Sequence, residues 1–113
     1  MLYMARKTIH PTTHAIERFE QRVLPHLPQT TRDRLQNKQR IKQSLYGLAR
    51  RAEYSEDVEQ MLHLKVFFIV QGYPPVPVTL VVDPVKRSLC TLYISPGWEN
   101  VGDEMNPKWV WCS

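Results

Sequence analysis

Residues 12–23 read TTHAIERFEQRV, and the spacing within this stretch decides how the rest of the chain is read. Ala15, Ile16, Phe19 and Val23 recur at helical intervals and form one narrow apolar stripe. His14, Arg18 and Arg22 recur every four residues and form a second row beside it, with Glu17 and Glu20 on the other flank. Pro11 bars helix before this stretch, Thr12 or Thr13 offers the cap, and Pro25 and Pro28 end it. Docked by its stripe, such a helix holds an imidazole and two guanidiniums along one rim, an arrangement that grips a phosphate beside a proton-transfer group. A solvated charged face on an ordinary helix fits the same spacing.

Working outward, Thr30 or Thr31 caps a second helix that the pattern carries to Ala52. Ile41, Leu45, Leu48 and Ala52 give its apolar line, and Leu35 sits off that line. Lys38, Arg40, Lys42, Arg50 and Arg51 spread around its faces, which suits diffuse attraction to phosphates and also plain solubility. From Ala52 the period changes to two. Residues 52–54 fit a short edge strand and the acidic residues 55–60 a turn. Residues 61–70 form a strong strand, with Leu62, Leu64, Val66, Phe68 and Val70 on one face and His63, Lys65, Phe67 and Ile69 on the other. Residues 78–83 and 88–94 make a hairpin around the turn at 84–87. In its second strand Leu89, Thr91 and Tyr93 share one face, and Cys90, Leu92 and Ile94 the other, with Cys90 read as a small core residue. The tail is irregular, broken by Pro96, Gly97, Gly102 and Pro107, and its Trp98, Trp109 and Trp111 require it to pack on something. His26 is read as an exposed loop residue. The expected fold class is α+β: two N-terminal helices packed on one face of a three- to four-stranded antiparallel sheet, with an irregular Trp-rich C-terminal tail. The 113 residues form a single domain on this reading, with 1–11 a lead-in, 12–95 the core and 96–113 a tail packed on it.

Composition narrows the classes of function. No run of about 18 apolar residues is present, so no membrane span is expected. The opening MLYMARK lacks the apolar stretch of a signal peptide, which points to the cytoplasm. Cys90 and Cys112 have no metal-ligand spacing, and neither do His10, His14, His26 and His63 with the carboxylates, so neither a metal nor another cofactor is expected. The net charge of +4 conceals an asymmetry: residues 1–52 carry +8 and residues 53–113 carry −4. A basic front half implies a polyanionic partner, RNA or another nucleic acid.

The set His14, Arg18, Arg22, with Lys65, Thr91 and Tyr93 from the sheet, suits RNA cleavage without a metal. That reaction needs a base for the 2′-hydroxyl proton, an acid for the leaving 5′-oxygen and fixed positive charge on the phosphorane-like transition state. Histidine titrates near neutrality and serves either proton role, and arginine engages phosphate oxygens with a bidentate fork. Each sheet residue also has an ordinary explanation: Lys65 as an exposed strand lysine, Thr91 as a β-former, Tyr93 as core.

A helix reading H-A-x-x-R-F-x-x-R, a strand ending VFFIVQG and a last strand reading CTLYIS resemble small bacterial and phage domains of the barnase–EndoU–colicin–RelE-like ribonuclease fold. The likeness is to the branch with an N-terminal His-Arg helix and a C-terminal Thr-x-Tyr strand, and it covers roughly residues 12–95. It implies a toxin-like, metal-independent endoribonuclease with His14, Arg18, Arg22, Thr91 and Tyr93 at the site, Lys38, Arg40, Lys42, Arg50, Arg51 and Lys65 contacting nucleic acid, and a protein partner such as an antitoxin. The long basic segment 31–51 and the Trp-rich tail have no counterpart in that pattern. The alternative reading is a non-catalytic module on the same fold that binds nucleic acid or docks on a host enzyme as a phage-type inhibitor, using the second helix and the tail tryptophans.

Overall fold

The computed structural model describes residues 9–103 and 108–112. The first element is a two-residue strand, β1 (His10–Pro11), followed by helix α1 (Thr13–Arg22) and one turn of 3-10 helix (Leu24–His26). Helices α2 (Gln29–Arg34) and α3 (Lys38–Arg51) come next. Strands β2 (Glu53–Val58), β3 (Met61–Phe68), β4 (Val76–Asp83) and β5 (Ser88–Ile94) complete the main sheet, and β6 (Trp98–Asn100) pairs with β7 (Trp109–Trp111) in a separate ribbon. The α+β class is as expected, with the helices on one face of the sheet. No helix among the described residues is long and apolar enough to cross a membrane.

Thr12 is where helix and sheet are tied together. Its hydroxyl accepts from the Ala15 backbone N–H at 3.1 Å, capping α1, and donates to the Leu89 carbonyl at 3.0 Å. The preceding β1 runs parallel to β5, with His10 opposite Ser88 and Pro11 opposite Leu89. The sheet is therefore mixed and five-stranded, in the order β1-β5-β4-β3-β2, rather than three- to four-stranded and antiparallel. Proline is tolerated in β1 because that strand lies at the edge.

Three further expectations are corrected. The second helix is two helices. Leu35 closes α2 with its N–H on the Thr31 and Arg32 carbonyls, and the Asn37 side chain opens α3 by accepting from the Gln39 N–H at 2.8 Å. The acidic segment at 55–60 is mostly strand. It pairs antiparallel with β3 through a two-residue turn in which Glu59 and Gln60 both have positive φ, 53° and 68°. Such a turn matches the twist of the strands it joins and usually carries Asn-Gly, which is why Glu-Gln does not announce it. In β5 a bulge between Val81 and Val82 of the facing strand shifts the register at Cys90. Leu89, Leu92 and Ile94 then all face the helices, and Cys90 is only half-buried outside the core cluster.

The core lies between the helices and the sheet face formed by Leu62, Leu64, Val66 and Phe68 of β3, Val76, Val78, Leu80 and Val82 of β4, and the β5 residues just named. Ala15, Ile16 and Phe19 of α1 fill it from above, with Phe19 and Phe68 rings 5.6 Å apart. Ile41, Leu45, Leu48 and Ala49 of α3 complete it, and Leu35 joins them despite lying off the helical line. The tail is a short hairpin rather than irregular chain. It wraps one end of the sheet: Trp109 packs on the core and meets the His26 ring at 5.0 Å, and Trp98 meets Phe67 on the opposite face at 6.0 Å. His26 is thus a packing residue, and burial lowers its pKa below the ordinary 6.5.

Two stability outcomes follow from these features. Replacing Glu59-Gln60 by Asn-Gly supplies residues suited to positive φ and should stabilise the protein by about 1 kcal/mol in denaturant unfolding; no gain would mean that the turn has another geometry. His26 resists protonation when folded but not when unfolded, so as pH falls below the ordinary histidine value the unfolded state takes up more protons and stability declines. A His26→Phe variant should therefore lose less unfolding free energy than the wild type between about pH 7.5 and about pH 5.5.

Candidate functional site

The pleat of the sheet divides the residues expected to act together. His14, Arg18 and Arg22 lie on α1, which covers the face of Leu92 and Leu80, whereas Thr91 and Tyr93 project from the opposite face, paired with Val81 and Thr79. One shared hollow for all five is not what the fold builds. His14 is exposed, and its Nε2 accepts from Arg18 Nε at 3.2 Å. Arg18 also donates to Gln21 at 2.6 Å. Arg22 donates to the Leu92 carbonyl at 3.0 Å, so it covers the outer edge of β5 beyond β1.

The remaining basic residues also divide. Lys38 is ion-paired with Glu20 at 3.3 Å on the helical layer. Arg40 and Arg50 are exposed and Lys42 is half-buried on α3. Arg51 reaches around the sheet edge to donate to the Phe67 carbonyl at 3.2 Å. Lys65 stands on the open face of the sheet, between Glu53 on β2 and Thr79 on β4.

It is the open face that gathers chemistry. His63 Nδ1 and the Tyr93 hydroxyl are 3.0 Å apart, bridging from β3 to β5 across β4. Glu56 sits directly opposite His63 in the β2–β3 register, so its side chain leaves the same face. These three and Lys65 line a hollow of about 410 Å3, closed on one side by Trp111. A second hollow of about 310 Å3 continues past Lys65, between Glu53, Arg51, Phe67 and Trp98. Burial raises the pKa of the Tyr93 hydroxyl above the usual tyrosine value, and the nearby Glu56 charge pushes it the same way. The phenol therefore stays neutral at pH 7 and remains a proton-bearing partner for the imidazole. Below them Thr79 and Ser95 share a buried hydrogen bond of 2.9 Å, which fixes the floor.

Of the residues expected from sequence, the hollow assembles Tyr93 and Lys65. Thr91 shares their sheet face. The hollow adds His63 and Glu56, which spacing alone did not single out. The available signal was the alternation of β3: His63 and Lys65 stand two apart on its non-core face. Glu56 was hidden because residues 55–60 lack the alternation of a half-buried strand. Among the described residues no three His, Cys, Asp or Glu side chains stand together as a metal-holding group.

A neutral phenol is a stronger donor than acceptor, so the neutral imidazole of His63 should accept at Nδ1 and carry its proton on Nε2, aimed away from Tyr93. Nitrogen shifts of the ring in NMR should show that tautomer in the wild type, and a mixture of tautomers in Tyr93→Phe; identical spectra would show that the pair does not form.

No family model, no curated protein and no solved structure matches this chain.

Proposed function

We propose that this protein is a toxin-like, metal-independent endoribonuclease whose reaction takes place on the open face of the sheet. One observation carries the reading: two proton-transfer groups, Glu56 and His63, share a hollow with the Lys65 ammonium and with a tyrosine that orients the imidazole. The Glu56 carboxylate takes the 2′-hydroxyl proton. The 2′-oxygen attacks phosphorus, the bond to the 5′-oxygen breaks, and His63 in its protonated form gives that oxygen its proton. The products are a 2′,3′-cyclic phosphate and a free 5′-hydroxyl. Lys65 stabilises the charge that grows on the non-bridging oxygens. Tyr93 holds the ring by Nδ1: its hydroxyl donates to Nδ1 of the resting neutral ring, and once the imidazolium has formed it accepts from Nδ1–H while the Nε2–H is the proton given up.

The basic helical layer has a different part. Arg40, Lys42 and Arg50, with the His14–Arg18–Arg22 row, attract RNA over a distance without touching the reacting phosphate. A second reading, a binding module without chemistry, is favoured by the exposed aromatic surface at Phe67 and Trp111. In it the protein retains nucleic acid or docks on a partner protein.

Purified protein incubated with RNA and EDTA should produce fragments ending in 2′,3′-cyclic phosphate. His63→Ala and Glu56→Gln should each slow cleavage by roughly 10²- to 10⁴-fold, the usual contribution of a general acid or base. His14→Ala should cleave like the wild type. Loss of activity in His14→Ala with full activity in His63→Ala would move the chemistry to α1, and RNA left intact by the wild type would leave only the binding module.

A further inference from the structure

The tail hairpin is built around an exposed indole. Trp98 and Trp111 are cross-strand partners in the β6–β7 ribbon, with ring centroids 5.6 Å apart and planes inclined at 69°. Trp98 in turn meets Phe67 of the main sheet at 6.0 Å and 87°. This edge-to-face run fixes Trp98 from both sides and leaves Trp111 at its outer end, 55% exposed, on the rim of the hollow that holds His63, Lys65 and Tyr93. The chain makes room for it at Gly97. A Cβ there would lie 2.6 Å from Cζ3 and 2.8 Å from Cη2 of Trp111, and the φ of +88° disfavours any other residue. The Cys112 N–H donates to the Gly97 carbonyl and anchors the strand just beyond the ring.

A hairpin built only to cover the sheet end would turn its largest apolar ring inward, as Trp109 does. Trp111 is instead held by Trp98 and the close approach of Gly97 with more than half of its surface open, and it lines the same hollow as a cation and two proton-transfer groups. Rigid aromatic faces beside a phosphate-binding cation are the means by which proteins hold unpaired bases. We infer that Trp111 is the stacking platform for an unpaired nucleobase next to the phosphate in the hollow, and that the substrate is single-stranded RNA. This rests on the nuclease reading for the phosphate's position. It adds the strandedness of the substrate and a positioning residue, because bases within a duplex are already stacked and have no face to offer.

The experiment uses the full chain and a short RNA methylated at every 2′-oxygen, which cannot be cleaved, so binding is read apart from chemistry. The single strand should quench tryptophan fluorescence, and the same sequence as a duplex should bind more weakly without that quench. Trp111→Ala should weaken single-strand binding roughly tenfold or more, and Trp111→Phe should restore much of it. Gly97→Ala, which displaces the ring, should behave like Trp111→Ala, with matching far-ultraviolet dichroism as the check on folding. Equal affinity for single strand and duplex, or wild-type binding by Trp111→Ala, overturns the inference whatever the cleavage assay gives. Absence of binding to any nucleic acid also overturns it, and leaves Trp111 as a contact for protein. Stacking-dependent binding without cleavage of unmethylated RNA supports this inference and removes only the nuclease.

Discussion

A sheet covered by helices on one face must send alternate residues to two different environments, and that constraint governs the molecule. The register Lys65–Thr79–Tyr93 lies one step away from Leu64–Leu80–Leu92. The second row is sealed under α1 and α3, so the first has no choice but the open side. Slipping any one strand by a single residue would turn a lysine, a threonine or a tyrosine toward the helices and a leucine away from them. Hydrophobic burial therefore fixes the positions of polar groups that contribute nothing to it, and the hydrogen bond between His63 and Tyr93 is a consequence of leucines on the far side.

The sheet edges show the same economy of means. At the β5 edge, β1 and Thr12 satisfy the Leu89 carbonyl, and Arg22 satisfies Leu92 further along. These are the groups that dock α1, so capping the helix and closing the edge are one event. An arginine read from spacing as a phosphate clamp is thereby given a structural task. At the other edge β2 has acidic side chains and a bulge between Tyr54 and Glu56, both of which discourage a further strand from pairing. The same acidic character places Glu56 opposite His63.

What could be read from the sequence was whatever depends on local period. The stripe of α1, its cap at Thr12, the two faces of β3 and the hairpin turn at 84–87 follow from residues close together in the chain. The misread features depend on distant partners or on residues in uncommon conformations. Two residues of β1 become a strand only because Leu89 lies alongside. Glu59 and Gln60 take positive φ without the usual Asn-Gly signature. The β6 and β7 strands, three residues each, are too short to show alternation, and the Asn100 side chain that accepts from both Gly102 and Lys108 at 3.0 Å has no sequence signature. The bulge at Cys90 moved Leu89 from one face to the other, which a strict period of two cannot express. For the candidate site, spacing along α1 drew attention to the helical face, and the His63–Tyr93 pair lies on the other. A row of polar groups on a helix is visible from periodicity, whereas a pair joined across three strands requires the register.

The separation of charge from chemistry limits what each can do. The positive excess of residues 1–52 sits largely on the helical layer, and the open face carries Lys65, with Arg51 at its rim. The sheet and the core sealed beneath the helices stand between the two. The cations of the helices and the ammonium in the hollow are therefore presented on opposite sides of the molecule. The Lys65 side chain is flanked in register by Glu53 and lines the hollow with Glu56. An anion entering the hollow meets repulsion from these carboxylates as well as attraction from the ammonium. The face therefore suits a ligand that offers a hydrogen-bond donor to the carboxylates as well as an acceptor to the ammonium, which a bare anion does not.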